Sequence, residues 1–273
     1  MRLGEMTLVQ GDASAVPVLS ESRRETLRAQ HGDALMLEYR VFGENTGTAK
    51  GHNCLAEGCA SDYIMIMNPD VIVNPRIFNQ MLAPFLEGVP GIPAHQVGVT
   101  EARQTPIEHS KWFDEKSGET SWISTACALF PTAILREVKG FDEESFFMYC
   151  DDLDFSWRIR LSGYKAIYLP DAPVFHAKRL SGSGAWVPTS AERFYSAEAA
   201  LLLAWKWSRP DITADNLNSY LALPPQSPEY KAGKAFEERR EQGRLPVPVD
   251  PEHKVGSFTA QGYGEYRFVF DIT

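Results

Sequence analysis

The chain lacks any apolar run approaching the roughly 20 residues that a membrane-spanning helix needs. It also lacks an excess of positive charge: 27 Lys and Arg face 36 Asp and Glu, a formal charge of −9. No basic stripe is left over to line a nucleic-acid groove, which excludes that class of partner. Cysteine is scarce. Cys54, Cys59, Cys127 and Cys150 show neither a CxxC pair nor another zinc spacing, so they read as buried free thiols in a reducing compartment. The opening residues, MRLGEMTLVQGDAS, lack the apolar core of a signal peptide. Repeats and low-complexity segments are missing as well. These absences point to a cytoplasmic protein, with peripheral contact at the inner face of a membrane left open. What remains is an ordinary globular composition, 44% hydrophobic and 23% charged over 273 residues, enough to bury a substantial core.

Strand and helix signals alternate along the first half. Residues 6–10 (MTLVQ) and 34–42 (ALMLEYRVF) read as strands, with a polar helix over 20–30 between them, capped by Ser20 or Ser22. A small-residue loop, ENTGTAKG, leads into a helix over about 52–60. Tyr63–Met67 (YIMIM) is a continuous apolar run suited to a central strand buried on both faces of a parallel sheet. It stops at Asn68-Pro69-Asp70, and a helix over about 75–86 follows. Residues 87–121 read as a long irregular connection, 121–130 as a strand and 131–138 as a short helix. Short strands at 164–168 and toward His176 precede a Ser/Gly loop at 181–184 and a helix over 192–207. Beyond Pro210 the sequence turns polar, with one charged helix over about 228–242 and an aromatic tail. The alternation predicts a doubly wound α/β sheet.

Chemistry concentrates at residues 140–160, GFDEESFFMYCDDLDFSWRIR, where six carboxylates (Asp142, Glu143, Glu144, Asp151, Asp152, Asp154) crowd among aromatics. Unpartnered buried carboxylates cost several kcal/mol each, so such crowding suits a cation, a proton transfer or a polar ligand. Asp151 and Asp152 would sit at the positive end of a helix dipole, and Asp154 is spaced to pair with Arg158. The plainer alternative is a well-capped acidic helix start. Asp70 leaves an apolar strand where open α/β sheets bind ligands, and a carboxylate there can hold Mg²⁺ or Mn²⁺ against a diphosphate. The alternative is a capped Asn-Pro-Asp turn. His176 ends the apolar Val174-Phe175 run; it reads either as a structural hydrogen-bonding residue or as a partner to Asp70 on a metal.

The order of a strand ending in NPD, then GFDExxFFMYxxDxDxxxRxxxxGY, then a P-x-x-P-V-x-H strand resembles the family 2 glycosyltransferases, and within them rhamnosyltransferase-like and galactofuranosyltransferase-like members. The resemblance runs from about residue 6 to about 185. It implies a GT-A-like doubly wound mixed sheet flanked by helices over residues 1–185, with a helical C-terminal extension and tail over 186–273. ENTGTAKGHN resembles the family's loop before the NPD strand, which would put Asn45 and Gly47 on the donor. Asn68 would lie near the donor's sugar or ribose, and Asp70 would ligate a Mn²⁺ or Mg²⁺ ion that bridges its diphosphate. Asp152 matches the catalytic base, Asp151 stands where the family has a glutamate on the acceptor, and Trp122 is placed on the acceptor side with it. His176 would complete the metal site. Arg158 would offset leaving-group charge.

The resemblance also carries departures. The family's usual first strand and its turn have no counterpart upstream of Met6. MTLVQGDAS matches the second strand, whose Asp-Asn-x-Ser turn contacts the base; Gly11 takes the place of the first Asp, leaving Asp12 one position along. The expected function is an inverting, metal-dependent transfer of a sugar from a nucleotide-diphosphate donor to a glycan or lipid-linked acceptor in surface polysaccharide synthesis. Two alternatives remain: a non-catalytic relative that has lost recognition of the donor base, and a metal-dependent phosphohydrolase. The aromatic tail over 263–270 is a candidate replacement for the missing strand.

Overall fold

A computed structural model describes residues 6–14, 20, 23, 25, 36–108, 111–177, 187–259 and 262–263. Strand β1 (Thr7–Asp12) pairs in parallel with β2 (Met36–Val41) as a separate two-stranded sheet. Helix α1 (Gly47–Ala56) leads to β3 (Tyr63–Met67), β4 (Val71–Ile72) and α2 (Ile77–Glu87). Then come β5 (Val97–Thr105), β6 (Glu119–Thr120), β7 (Cys127–Pro131), α3 (Thr132–Glu137), α4 (Asp151–Leu161) and β8 (Lys165–His176). Helices α5 (Ser190–Lys206), α6 (Pro210–Leu221) and α7 (Pro228–Glu241) precede the small antiparallel pair β9 (Phe258–Thr259) and β10 (Gly262–Tyr263). Most of the helix expected over 20–30, the loop at 181–184 and most of the tail lie outside the described residues. Within the tail, the described Tyr263 pairs with Phe258 rather than with the main sheet.

The main sheet runs β3-β7-β5-β8-β4, with β6 also on β8. Its β5–β8 pair is parallel and the others are antiparallel, which makes it a mixed sheet. YIMIM is therefore not a central parallel strand. It stands at the end of the hydrogen-bonded order, antiparallel to β7. Its apolar run still has a physical reason, because Ile64 and Ile66 meet one core and Tyr63 and Met65 the other. The first core packs Phe130, Cys150, Phe155 and Trp157 with Leu201 and Trp207 from α5; the second packs Ile77, Met81 and Phe85 of α2 against Cys127, Ile167 and Val174. Helices thus cover both faces.

Three further differences have local causes. Helix α1 starts at Gly47 rather than near His52, because Asn45 Oδ1 accepts from Gly47 N at 3.1 Å and the Phe147 carbonyl accepts from Thr48 N at 2.7 Å. The stretch read as irregular holds β5, whose Thr100, Glu101 and Gln104 are polar yet buried. Pro210 opens α6 at the first helical position, where a missing N–H costs nothing. Helix α5 begins with a capping box between Thr189 and Glu192. It is then buried on most of its circumference, as expected of a helix enclosed by α6 and α7.

Candidate active site

The NPD turn and the end of β8 meet. Strand β4 pairs Val71 with His176, and the Asp70 carbonyl accepts from Ala177 N at 3.0 Å. This sets His176 Nε2 at 3.2 Å from Asp70 Oδ1 and 3.5 Å from Asn68 Nδ2. The other ring nitrogen, Nδ1, lies 2.8 Å from Gln104 Oε1 on β5. His176 is 8% exposed and Gln104 2%, while the Asp70 side chain is about half exposed, so the pair faces solvent through its carboxylate. Cis ligands of an octahedral cation held at about 2.1 Å stand roughly 3 Å apart. The Asp70–His176 spacing and donor set therefore suit one small divalent ion. Among the described residues, no group of three or more His, Cys, Asp or Glu side chains is placed to hold a metal, so these two would need further ligands from a bound phosphate or water.

A second centre gathers at the start of α4. Cys150 takes a left-handed conformation (φ 57°), the chain turns, and Asp151, Asp152 and Asp154 occupy the first turn, with Arg158 and Arg160 in the last. That charge order complements the helix dipole. Asp151 and Asp152 are nearly buried, and Asp152 Oδ1 accepts from Leu153 N at 2.9 Å. The acidic turn is tied to the loop before α1: a Cβ on Gly47 (φ 74°) would stand 2.1 Å from the Phe147 carbonyl oxygen. Only glycine allows that approach. Asn45 and Gly47 are thus brought beside the segment that carries Asp151 and Asp152.

A buried ion pair was not foreseen. Glu101 on β5 and Lys111, each with 2% of its side chain exposed, are in direct contact, and the Lys111 ammonium lies 3.8 Å over the Trp122 ring. Burial pushes the Glu101 carboxyl up and the Lys111 ammonium down, each opposed by its partner. Asp152 is near enough to act on both, repelling Glu101 and stabilising the Lys111 charge. Strand β5 thereby touches both centres, through Gln104 at His176 and Glu101 near Asp152. The available signal was Glu101 inside a V-x-V-x-x-A pattern, with Gln104 two residues beyond the pattern's end.

Two expected site residues have other duties. Trp122 is fully buried in the first core and underlies Lys111, so it offers no open face to an acceptor. Arg158 donates to Asp154 Oδ2 at 2.7 Å and to the carbonyls of Val138 and Gly140, which commits it to bracing the 138–140 turn rather than to a leaving group. Asp154, fully buried, also meets Lys206 Nζ at 2.6 Å and Trp207 Nε1 at 3.1 Å from α5, and Lys206 reaches Asp142 at 2.7 Å. Much of the acidic cluster is therefore a structural network. Asp12 ends β1, 7% exposed, with its carboxylate held by the Tyr39 hydroxyl and Ser14 N. A side chain at Gly11 would meet the Phe42 ring at 2.8 Å and the Leu55 side chain at 3.2 Å.

Over 124 residues the chain is 30% identical to an N-acetylglucosaminyl-diphospho-decaprenol L-rhamnosyltransferase of Mycobacterium tuberculosis, a match covering 42% of this chain and 36% of that protein. A solved structure of GalNAc-T7 with UDP, GalNAc and Mn²⁺ superposes with a TM-score of 0.57 at 13% identity, covering 89% of this chain and 48% of that one. The chain has a GT-A fold. No protein-family model matches it. Staphylococcus aureus TarS residues 1–349 with UDP-GlcNAc reach a TM-score of 0.49 at 14% identity, covering 89% of this GT-A chain and 78% of that one. The chain spans only about a third of the length of the rhamnosyltransferase it matches.

Proposed function

We propose that the chain is an inverting glycosyltransferase that moves a sugar from a nucleoside-diphosphate donor to a glycan or lipid-linked acceptor, as in surface polysaccharide synthesis. The observation that carries the reading is the Asp70–His176 pair, 3.2 Å apart at the end of the NPD strand. The Mycobacterium tuberculosis relative, whose name specifies a diphospho-decaprenol-linked acceptor, supports the acceptor class. Asp70 and His176 would hold Mn²⁺ or Mg²⁺, which when bound supplies a Lewis acid to the donor's diphosphate. Asn68 would orient the donor beside them, and Asn45 and Gly47 would line its entry.

Asp152 takes the proton of the acceptor hydroxyl as that oxygen bonds to the anomeric carbon. The bond from that carbon to the diphosphate oxygen breaks in the same displacement, and the nucleoside diphosphate leaves. Asp151 positions the acceptor. Lys111 and Glu101 hold the wall next to Asp152. Transfer measured with radiolabelled nucleotide-sugars, with and without Mn²⁺, is the test. Asp152→Asn is expected to lower kcat by at least about 10²-fold while leaving donor affinity unchanged; full activity in that variant would remove Asp152 from the reaction.

One observation favours a second reading. The carboxylate of Asp12, the residue nearest the family's base-contacting position, is engaged by Tyr39 and Ser14. A non-catalytic relative without base recognition would look this way. Calorimetry with a panel of nucleotide-sugars separates the two, since binding of none of them with Mn²⁺ present favours the second.

A further inference from the structure

The metal reading leaves open how a neutral histidine comes to offer the correct nitrogen. An imidazole carries one proton on either of two nitrogens, and a metal takes the other, whose lone pair is free. In this structure the choice is built into β5. Gln104 lies opposite Val174, two residues before His176, and the Thr105 hydroxyl donates to the Val174 carbonyl at 2.9 Å, holding the strand ends in register. Gln104 is 2% exposed, and its Oε1 sits 2.8 Å from His176 Nδ1. An amide oxygen only accepts, so Nδ1 carries a hydrogen, and in the neutral ring Nε2 then holds the lone pair. Asn68 agrees independently, because its Nδ2, a donor, is the atom turned toward Nε2 at 3.5 Å. Nε2 then faces Asp70 Oδ1, another acceptor, at 3.2 Å. In the neutral ring, two lone-pair atoms at that distance repel unless a cation lies against both, and a second ring proton would relieve the contact instead.

Resting on the metal reading above, we propose that Gln104 is the positioning residue that fixes His176 as its Nδ1–H tautomer and so presents Nε2, beside Asp70, to a divalent cation. The reverse amide orientation would place the proton on Nε2, donate it to Asp70 and leave a closed hydrogen-bonded chain with no vacancy for a metal. The two arrangements differ in a proton position that can be measured.

The experiment uses the whole chain, with Mn²⁺ alone as the probe. Long-range ¹H–¹⁵N spectra of His176 without metal should give the Nδ1–H pattern in the wild type. Gln104→Leu should move it toward the Nε2–H form that water favours and weaken Mn²⁺ binding, followed by the electron paramagnetic resonance of free Mn²⁺, about 10- to 100-fold. Gln104→Glu, which keeps an acceptor at the same reach, should restore both the tautomer and the affinity. Thermal unfolding of each variant identifies any that fail to fold, and the glutamate variant then decides. An Nε2–H pattern in the wild type, or Mn²⁺ affinity unchanged in a folded Gln104→Leu, overturns the assignment. If Asp70→Asn leaves Mn²⁺ binding unchanged, the metal reading itself falls and this proposal with it. The metal-free tautomer distinguishes that failure from one at Gln104 alone.

Discussion

Single side chains set the sharpest expectations. Gly47 is fixed by the Phe147 carbonyl and a positive φ, so Gly47→Ala should cost about 1–3 kcal/mol or more and lower Tm by several degrees in a calorimetric scan. His52 is a different case. Its Nε2 is buried without a hydrogen-bond partner, the ring lies 5.0 Å from that of Phe141, and burial pulls its pKa from 6.5 down to about 4. The folded protein thus disfavours the charged ring. Its contribution is whole above about pH 6.5 and is lost as pH falls from there toward 4, by at most roughly 3 kcal/mol. Urea unfolding at pH 7 and pH 4.5 should give a smaller difference in His52→Leu than in the wild type. An unchanged difference would mean that the ring gains solvent or a partner on acidification.

At the scale of elements, β5 and α4 explain what the sequence could and could not disclose. The apolar YIMIM run and the NPD stop are local signals, and each marks a real element edge. Strand β5 was illegible because it carries Thr100, Glu101 and Gln104 inward, and polar residues in a central strand erase its pattern. They are tolerated because partners on other elements satisfy them: Met81 O, Lys111 and His176. The acidic run was legible as a cluster, but its partition was not, since Lys206 and Trp207 arrive from α5, more than fifty residues beyond Asp154. A double-mutant cycle on Glu101 and Lys111 follows. Glu101→Gln should cost about 3–5 kcal/mol by leaving a buried ammonium unpaired, and Glu101→Leu with Lys111→Met should cost clearly less. Equal losses in the two would mean that the charges are not coupled.

For the whole molecule, the C-terminal helices are part of the core rather than an attachment to it. Trp157 of α4 meets Trp207 edge-on at 5.1 Å and Phe258 at 5.2 Å, and Lys206 neutralises Asp142 and Asp154. Ending the chain at residue 185 would expose those rings and strand a buried carboxylate, so residues 1–185 alone should show weak near-ultraviolet dichroism and a broad, non-cooperative thermal transition. A sharp transition would make the division at 185 a true domain boundary. The sheet also separates two thiols, Cys127 on the α2 side and Cys150 on the α5 side, both fully enclosed, with the Cys127 thiol pushed up to about 12 by burial. Pulsed alkylation therefore turns this chain into a pair of stopwatches. Each thiol stays silent to a maleimide until its own layer opens, and the two labelling rates time the two halves of the molecule separately.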